Sequence, residues 1–344
     1  MKKSLLALAV LGAFATAASA QSSVTVYGKV DVGVVHDAGR AAGNAAGAKS
    51  LRVSSGVSGG SRLGFRGVED LGGGLKANFV AETGFCADAN VNWCTGGNSF
   101  MGRQAFVGLS GGFGSVTLGR QYVPAFIVLT TVDPFGTGLA GQTTNLFDAG
   151  TSPGNPRMNN SIIYTTPSMG GFTATVAAGA GEQLGNWRAG RTLGASGAYS
   201  AGPVYVGGAF HRIENVAGTM DKKLWNIGGT VGFGVAKVHA MYQRTENPGV
   251  PGYGEADQLM AGVSARLGAG TVMASFIRHN DKLATNLDAN QIGVGYVQSL
   301  SKRTSLYGAV AKISNKNGAG YRVGNASEAG TGNRAINLGV VHNF

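Results

Sequence analysis

Apart from residues 4–20, the chain has no apolar run near the roughly 18 residues that a membrane helix needs. A helical membrane protein is thereby excluded. Charged side chains make up only 13% of the 344 residues, against 43% hydrophobic. That balance fits neither a disordered chain nor an ordinary soluble enzyme, where about a quarter of residues are charged. Proline is scarce, with 8 residues, and no Gly-X-Y period exists, so collagen is excluded too. What the chain has in excess is glycine, 59 residues against a usual share of about 7%. In helix interiors each glycine would cost about 1 kcal/mol relative to alanine, which argues against an all-α fold.

The N-terminus carries Lys2 and Lys3, an apolar stretch over residues 5–17, and the small residues Ala18-Ser19-Ala20. A basic segment, a short apolar segment and an A-x-A site describe a secretory signal peptide over 1–20, leaving 21–344 as the mature chain. Removing the two lysines leaves 26 basic against 17 acidic residues, a net charge of +9. An exported chain meets an oxidising compartment, so Cys86 and Cys94 are expected to form a disulfide across a short polar segment. A zinc site would need further ligands, and no CxxC or HxxxH accompanies the two cysteines.

Beyond residue 21 the dominant pattern is alternation. Val24, Val26, Gly28, Val30, Val32 and Val34 share one face of a strand, with Thr25, Tyr27, Lys29 and Asp31 on the other. Leu63, Phe65 and Gly67 alternate with Arg62, Gly64 and Arg66; Leu75, Ala77, Phe79 and Ala81 alternate with Lys76, Asn78 and Glu82. The last run sets Ile336, Leu338, Val340, His342 and Phe344 against Ala335, Asn337, Gly339, Val341 and Asn343. A period of two means strands whose faces meet different surroundings. Short turns such as 70–74, 110–114 and 232–234 alternate with long segments rich in Gly, Asn, Asp and Pro, such as 38–51, 121–159 and 315–332. The pattern gives sixteen strands, the first at 23–37, the second at 60–69 and the last at 333–344. Strands of about 9–11 residues, with short turns at one end and long loops at the other, predict an all-β fold, a closed transmembrane antiparallel barrel. A soluble sandwich would need two apolar inner faces, whereas one face here carries Lys, Arg, Asn and Glu throughout.

The segments Ser23-Val-Thr-Val-Tyr-Gly, Gly60-Ser-Arg-Leu-Gly-Phe-Arg-Gly-Val-Glu-Asp-Leu-Gly-Gly-Gly-Leu-Lys-Ala, Arg103-Gln-Ala-Phe-Val-Gly-Leu, Val116-Thr-Leu-Gly-Arg-Gln-Tyr, Asp133-Pro-Phe-Gly, Asn160-Ser-Ile-Ile-Tyr and terminal Phe344 follow one another through the chain. As an ordered set they resemble the general diffusion porins of β-proteobacterial outer membranes. The resemblance implies a sixteen-stranded barrel, a homotrimer, and a third long loop folded into the lumen. It also implies that terminal Phe344 acts as a barrel-assembly signal. The family often carries Pro-Glu-Phe-Gly-Gly at the tip of that loop; here Pro134 stands in the place of the Glu, with Asp133 beside it.

The loop 121–159 is far longer than the 12–15 residues above which loops are usually functional or disordered. Its apolar stretch 123–129 gives it surface to bury against the barrel wall. Arg62 and Arg66 face the lumen by parity and are expected at the pore constriction. Arg103 opens its strand, and Gln104, Phe106 and Gly108 define that strand's outer face only weakly. By resemblance, Arg62, Arg103 and Arg157 form the arginine cluster that narrows such pores, and Asp133, Phe135 and Asp148 belong to the constricting loop. The two aspartates are expected to face the basic wall and set up a transverse field. Arg120 shares parity with Val116 and Leu118 and is placed outside.

These readings describe an outer-membrane channel for passive diffusion of small hydrophilic solutes, preferring anions, since rings of Arg or Lys select them. A substrate-specific channel for phosphate or organic acids would use the same basic pore. A barrel adhesin or a barrel hydrolase are further alternatives. The five histidines lie on separate strands with no nucleophile motif, so no catalytic residue is assigned. No cofactor and no metal are expected; the expected partners are outer-membrane lipid and lipopolysaccharide. Nucleic acid is not, because the basic residues are spread along strands without stacking aromatics.

Overall fold

The computed structural model describes residues 23–39, 49–89, 99–150, 155–217, 221–247 and 254–344. The expected signal peptide (1–20) and Cys94 lie outside the described residues; Cys86 is disulfide-bonded.

The strands in chain order are β1 (Ser23–Ala38), β2 (Ser50–Ser55), β3 (Arg62–Gly72), β4 (Leu75–Gly84), β5 (Gln104–Gly111) and β6 (Gly114–Tyr122). After a helix, α1 (Pro124–Val132), come β7 (Arg157–Thr165), β8 (Phe172–Gly179), β9 (Thr192–Ala201), β10 (Val204–Glu214) and β11 (Asp221–Phe233). The last six are β12 (Ala236–Glu246), β13 (Glu255–Leu267), β14 (Gly270–Asp281), β15 (Ala289–Ser299), β16 (Thr304–Asn315) and β17 (Arg334–Asn343). Each of β3 to β17 pairs antiparallel with its neighbour in sequence, and β1 pairs with β17, so the sheet closes on itself. Both β2 and β3 pair with β1, one along each half of it, so they are a single strand interrupted at 56–61. The result is a closed sixteen-stranded antiparallel barrel, which leaves no open sheet edge among the described residues.

The sequence pattern places the second strand at 60–69 only and misses its upper half, β2. Every other strand lies within four residues of its expected ends. The interruption is built by Asp31 on β1. Its carboxylate accepts hydrogen bonds from the backbone N–H of Ser58 (2.7 Å) and Gly59 (2.6 Å) and from the Tyr307 hydroxyl (2.6 Å). These donors draw segment 56–61 inward.

Alternation decides the two faces. Val24, Val26, Val30 and Val34 on β1, and Ile336, Leu338 and Val340 on β17, are exposed on the outside of the barrel. Their inward neighbours Asp31, Val35, Asp37 and Asn337 are buried. The barrel closes beside the C-terminus. Phe344 and Gly28 exchange backbone hydrogen bonds at 3.0 and 3.1 Å, and the Phe344 ring covers Gly28, where a Cβ would lie 2.3 Å from its Cζ.

Candidate functional site

Between β6 and β7 the chain turns into the lumen. Its base is tied by the Val123 N–H, which donates to the Pro156 carbonyl at 3.0 Å. Pro124 opens α1, where a missing N–H costs nothing. Ala125, Val128, Leu129 and Val132 recur on one helical face and are buried against the wall, while Ile127 remains 47% exposed toward the lumen. The apolar surface expected in this loop is therefore buried inside the barrel, and it is helical, which strand-period reasoning does not anticipate.

Polar side chains of the wall hold the rest of the loop by its carbonyls. Asn226 donates to Ala125 O (3.1 Å) and Gln291 to both Gly141 O (3.0 Å) and Gln142 O (3.1 Å). His239 meets Val132 O at 2.7 Å and His279 meets Leu146 O at 3.0 Å. Glycines on the wall make room: a Cβ on Gly262 would lie 2.8 Å from Pro134 Cγ, and one on Gly293 would lie 2.7 Å from Gly141 Cα. The loop tip rests on the inward-drawn 56–61 segment, where Leu139 N–H donates to Val57 O at 2.8 Å. The last long loop, 316–333, folds over this contact: Asn325 O accepts from Gln142 at 2.8 Å, and the Tyr321 hydroxyl meets His279 at 2.7 Å.

The opposite wall is basic. Lys29, Arg62, Arg103 and Arg157 line the narrowed lumen together with Tyr122 and the loop residues Ile127, Thr130 and Thr137. Arg103 Nε donates to Glu82 Oε1 at 2.8 Å, and Arg62 lies 3.9 Å from Glu82 Oε2. The Tyr122 hydroxyl accepts from Arg103 (3.0 Å) and Arg157 (2.7 Å), so one phenolic oxygen gathers two guanidinium groups. Arg157 also lies over the Tyr122 ring, 4.5 Å from its centroid, and that ring stacks on Phe126 of α1 at 5.1 Å. The last long loop adds Arg322 and Glu328 to the lining, one charge of each sign, and Glu328 is held by Arg52 at 2.8 Å.

Three expectations about the inserted loop are corrected by this geometry. Asp133 does not face the arginines. It is buried, and its carboxylate accepts from the N–H groups of Phe135 (3.0 Å), Thr137 (2.9 Å) and Thr143 (3.0 Å) within its own loop. Burial pushes this carboxyl above its usual range, against the pull of those donors. Asp148 turns the other way from the arginines and pairs with Lys222 on β11, whose ammonium also donates to Gly150 O at 2.8 Å. Phe135 is buried against Gly295 and serves as an anchor on the wall side. The inserted-loop surface that faces the basic wall is thus neutral, and no transverse field of the expected kind arises from these two aspartates.

Arg66 faces inward as parity requires, but it lies over Tyr27 (5.2 Å) and is not among the residues lining the narrowed lumen. Arg103 escapes parity because it precedes β5 at a bend; Gln104, Phe106 and Gly108 are on the inner face, opposite Glu82, Val80 and Asn78. Arg120 is placed outside by its pairing with Ala105, and its guanidinium donates to Gly102 O at 2.6 Å. Sequence reasoning does not assign Lys29, Glu82 or Tyr122 to the site. Lys29 and Glu82 are legible as inward-facing by alternation, but nothing along the chain marks which inward residues lie at the height of the loop.

Comparison with known proteins gives this geometry its context. The chain is 38% identical, over the whole of both chains, to "Outer membrane porin protein 32" of Delftia acidovorans. It is 33% identical to an outer membrane porin protein of Bordetella pertussis, covering 91% of this chain and 94% of that one. Among solved structures it superposes on the "Anion-selective porin from Comamonas acidovorans" with a TM-score of 0.76 at 32% identity, covering 94% of this chain and all of the other. The family model described as "Gram-negative porin" matches residues 7–318, and with a shared barrel and a constricting inner loop the chain belongs to the Gram-negative porins.

Proposed function

We propose that this outer-membrane porin is a general diffusion channel whose eyelet favours anions. One observation carries the reading: four wall cations, Lys29, Arg62, Arg103 and Arg157, line the narrowed lumen around one carboxylate, Glu82, and face an inserted loop whose surface there is without charge. An ion at this point is close to the arginines and walled by low-dielectric protein, so local charge acts with little screening. The Comamonas acidovorans relative, described as anion-selective, supports the same preference.

The finer elements of the proposal are a cleaved leader over 1–20, a homotrimeric assembly, and transport without catalysis. The apolar outer faces of β1 and β17 suit a lipid or subunit contact. His239 meets Ser264 at 2.9 Å, but the Val132 carbonyl, and not a carboxylate, orients the imidazole, so the pair serves as a tie between wall and loop.

The test is single-channel recording in planar bilayers under a salt gradient. The zero-current potential of the wild type should have the sign of anion preference. Replacing Arg62 and Arg157 by Ser should move it toward the cation side while the pore stays open. A cation-preferring wild type would overturn the charge argument, and an unchanged potential in the double variant would place selectivity elsewhere.

A further inference from the structure

The break between β2 and β3 holds more chain than the sheet requires. Val32 pairs with Ser55 at the end of β2, and Lys29 pairs with Arg62 at the start of β3. Only Val30 and Asp31 of β1 therefore face the whole segment 56–61. Extra residues in one strand bend it out of the sheet, and such bulges gather beside functional sites. Here the excess is turned into the lumen, where Ser58, Gly59 and Gly60 line the narrowing next to Lys29 and Arg62. The inner loop touches it at the closest range a backbone allows, since a Cβ on Gly138 would lie 2.0 Å from the Ser58 carbonyl oxygen. The last long loop meets it as well: the Ser327 hydroxyl donates to Gly56 O at 3.2 Å, and Gly56 takes a φ of +71°, which suits glycine.

Asp31 holds this segment at both ends and in the middle. Its carbonyl accepts from Gly56 N–H at 2.7 Å and from the Ser61 hydroxyl at 3.1 Å, and its N–H donates to that hydroxyl at 3.1 Å. One carboxylate oxygen takes the N–H groups of Ser58 and Gly59, and the other takes the Tyr307 hydroxyl from β16. Asp31, Val57 and Ser61 are all fully buried. Hydrogen bonds to a carboxylate are about twice as strong as neutral ones, so the middle of the segment is firmly tied. The segment carries no charged side chain and acts on a passing solute only through the room it leaves. A guanidinium on a rotatable stem yields to a large solute. A backbone fixed by several hydrogen bonds does not.

We propose that segment 56–61 is the size filter of the channel and that Asp31, aided by Tyr307, is its positioning residue. Charge preference then belongs to the arginine wall, and the exclusion limit belongs to a stretch of neutral backbone. The inference rests on the diffusion-channel reading and deepens it. Without the Asp31 carboxylate the segment loses the two N–H ties that draw its middle inward, and it backs toward the wall. The passage widens while Arg62, Arg103 and Arg157 stay where they are.

The experiment uses the full protein purified from outer membranes. Liposome swelling in neutral mono-, di- and trisaccharides reads the exclusion limit, and bilayer recording reads conductance and ion preference. Asp31→Val should raise single-channel conductance and the trisaccharide rate relative to the monosaccharide, with the sign of ion preference unchanged. Tyr307→Phe removes a single oxygen and carries the test if Asp31→Val does not fold. Its fraction of open time in the wider level should rise roughly 10-fold, the effect of one lost hydrogen bond to a charged group. Asp31→Asn keeps an oxygen for the two N–H groups and an amide for the Tyr307 oxygen, so it should keep the wild-type limit. The control is Asp281→Val. Asp281 likewise accepts two backbone N–H groups, from Leu283 (3.0 Å) and Leu287 (2.8 Å), and the Thr285 hydroxyl (3.0 Å), but the loop it ties does not line the narrowed lumen. Its exclusion limit should match wild type. Unchanged sugar rates and conductance in both Asp31→Val and Tyr307→Phe would overturn the size filter while leaving the channel reading intact. Equal widening in Asp281→Val would overturn it too, as would loss of anion preference together with widening, which would mean that the arginine wall had collapsed. A wild type without an open pore would remove the channel reading and this inference with it.

Discussion

Replacing Glu82 by Gln should increase anion preference, and the geometry allows charge to be separated from position. Glu82 is the carboxylate held among the four wall cations of the eyelet, giving that cluster a net charge of +3; the amide makes it +4. A unit charge about 8 Å from a passing ion contributes roughly 0.5–1 kcal/mol for effective dielectric constants of about 80 to 40. That is about a 2- to 5-fold gain in anion occupancy, with the inverse for a cation, so the permeability ratio should rise about 5- to 30-fold at low salt. Gln retains an oxygen that can accept from Arg103 Nε, now 2.8 Å from the carboxylate, and the Arg103 N–H still donates to the Glu82 carbonyl at 3.1 Å. Arg103 should therefore stay in place. Reversal potentials at or below about 0.1 M salt are the assay; at 1 M, where the Debye length is about 3 Å, the difference should shrink. Glu82→Ala removes both charge and tether and serves as the contrast. An unchanged or reduced anion preference for Glu82→Gln, at normal conductance, would refute the charge reasoning and make Glu82 purely a positioning residue.

Asp148→Asn should strand the buried Lys222 ammonium, at a cost of about 3–5 kcal/mol for breaking a buried pair, and should appear as added open-channel noise and lower heat stability. Replacing both, Lys222→Met with Asp148→Leu, should recover most of that loss; a double variant no better than the single would show that the pair is not the pin we take it for. Deleting Phe344 should lower outer-membrane yield, because it removes the ring over Gly28 and both backbone bonds that seal the last strand to the first; unchanged yield on quantitative surface detection would contradict this.

Most of the fold is legible in the sequence because lipid outside and water inside impose opposite chemistry on alternate residues. Where that contrast is strong, as along β1 and β17, the strand limits follow within a few residues. It fails at β2 because the run is too short: Leu51 and Val53 alternate with Arg52 and Ser54, but the strand has only six residues before Gly56 breaks it. The signal that could find this strand lies elsewhere, in Asp31, whose carboxylate holds the break. The site is legible only in its strand-borne part. Arg62 follows from parity, but Arg103 sits at a bend, and a bend resets the side on which a residue emerges.

The inserted loop obeys a different rule, and that explains the misplaced aspartates. A segment packed inside a barrel must satisfy its own backbone groups away from bulk water. Asp133 does so by accepting three N–H groups of the loop, while Asp148 docks the loop by meeting the buried Lys222. Both carboxylates are spent on keeping the loop folded and docked, so neither remains to face the lumen. The wall carries the opposite consequence: Arg62, Arg103 and Arg157 converge on one carboxylate and one phenol, leaving positive charge in excess where the passage is narrowest. Ion preference in this barrel therefore depends on where its acids are consumed, and the overall charge of the chain is a poor measure of it.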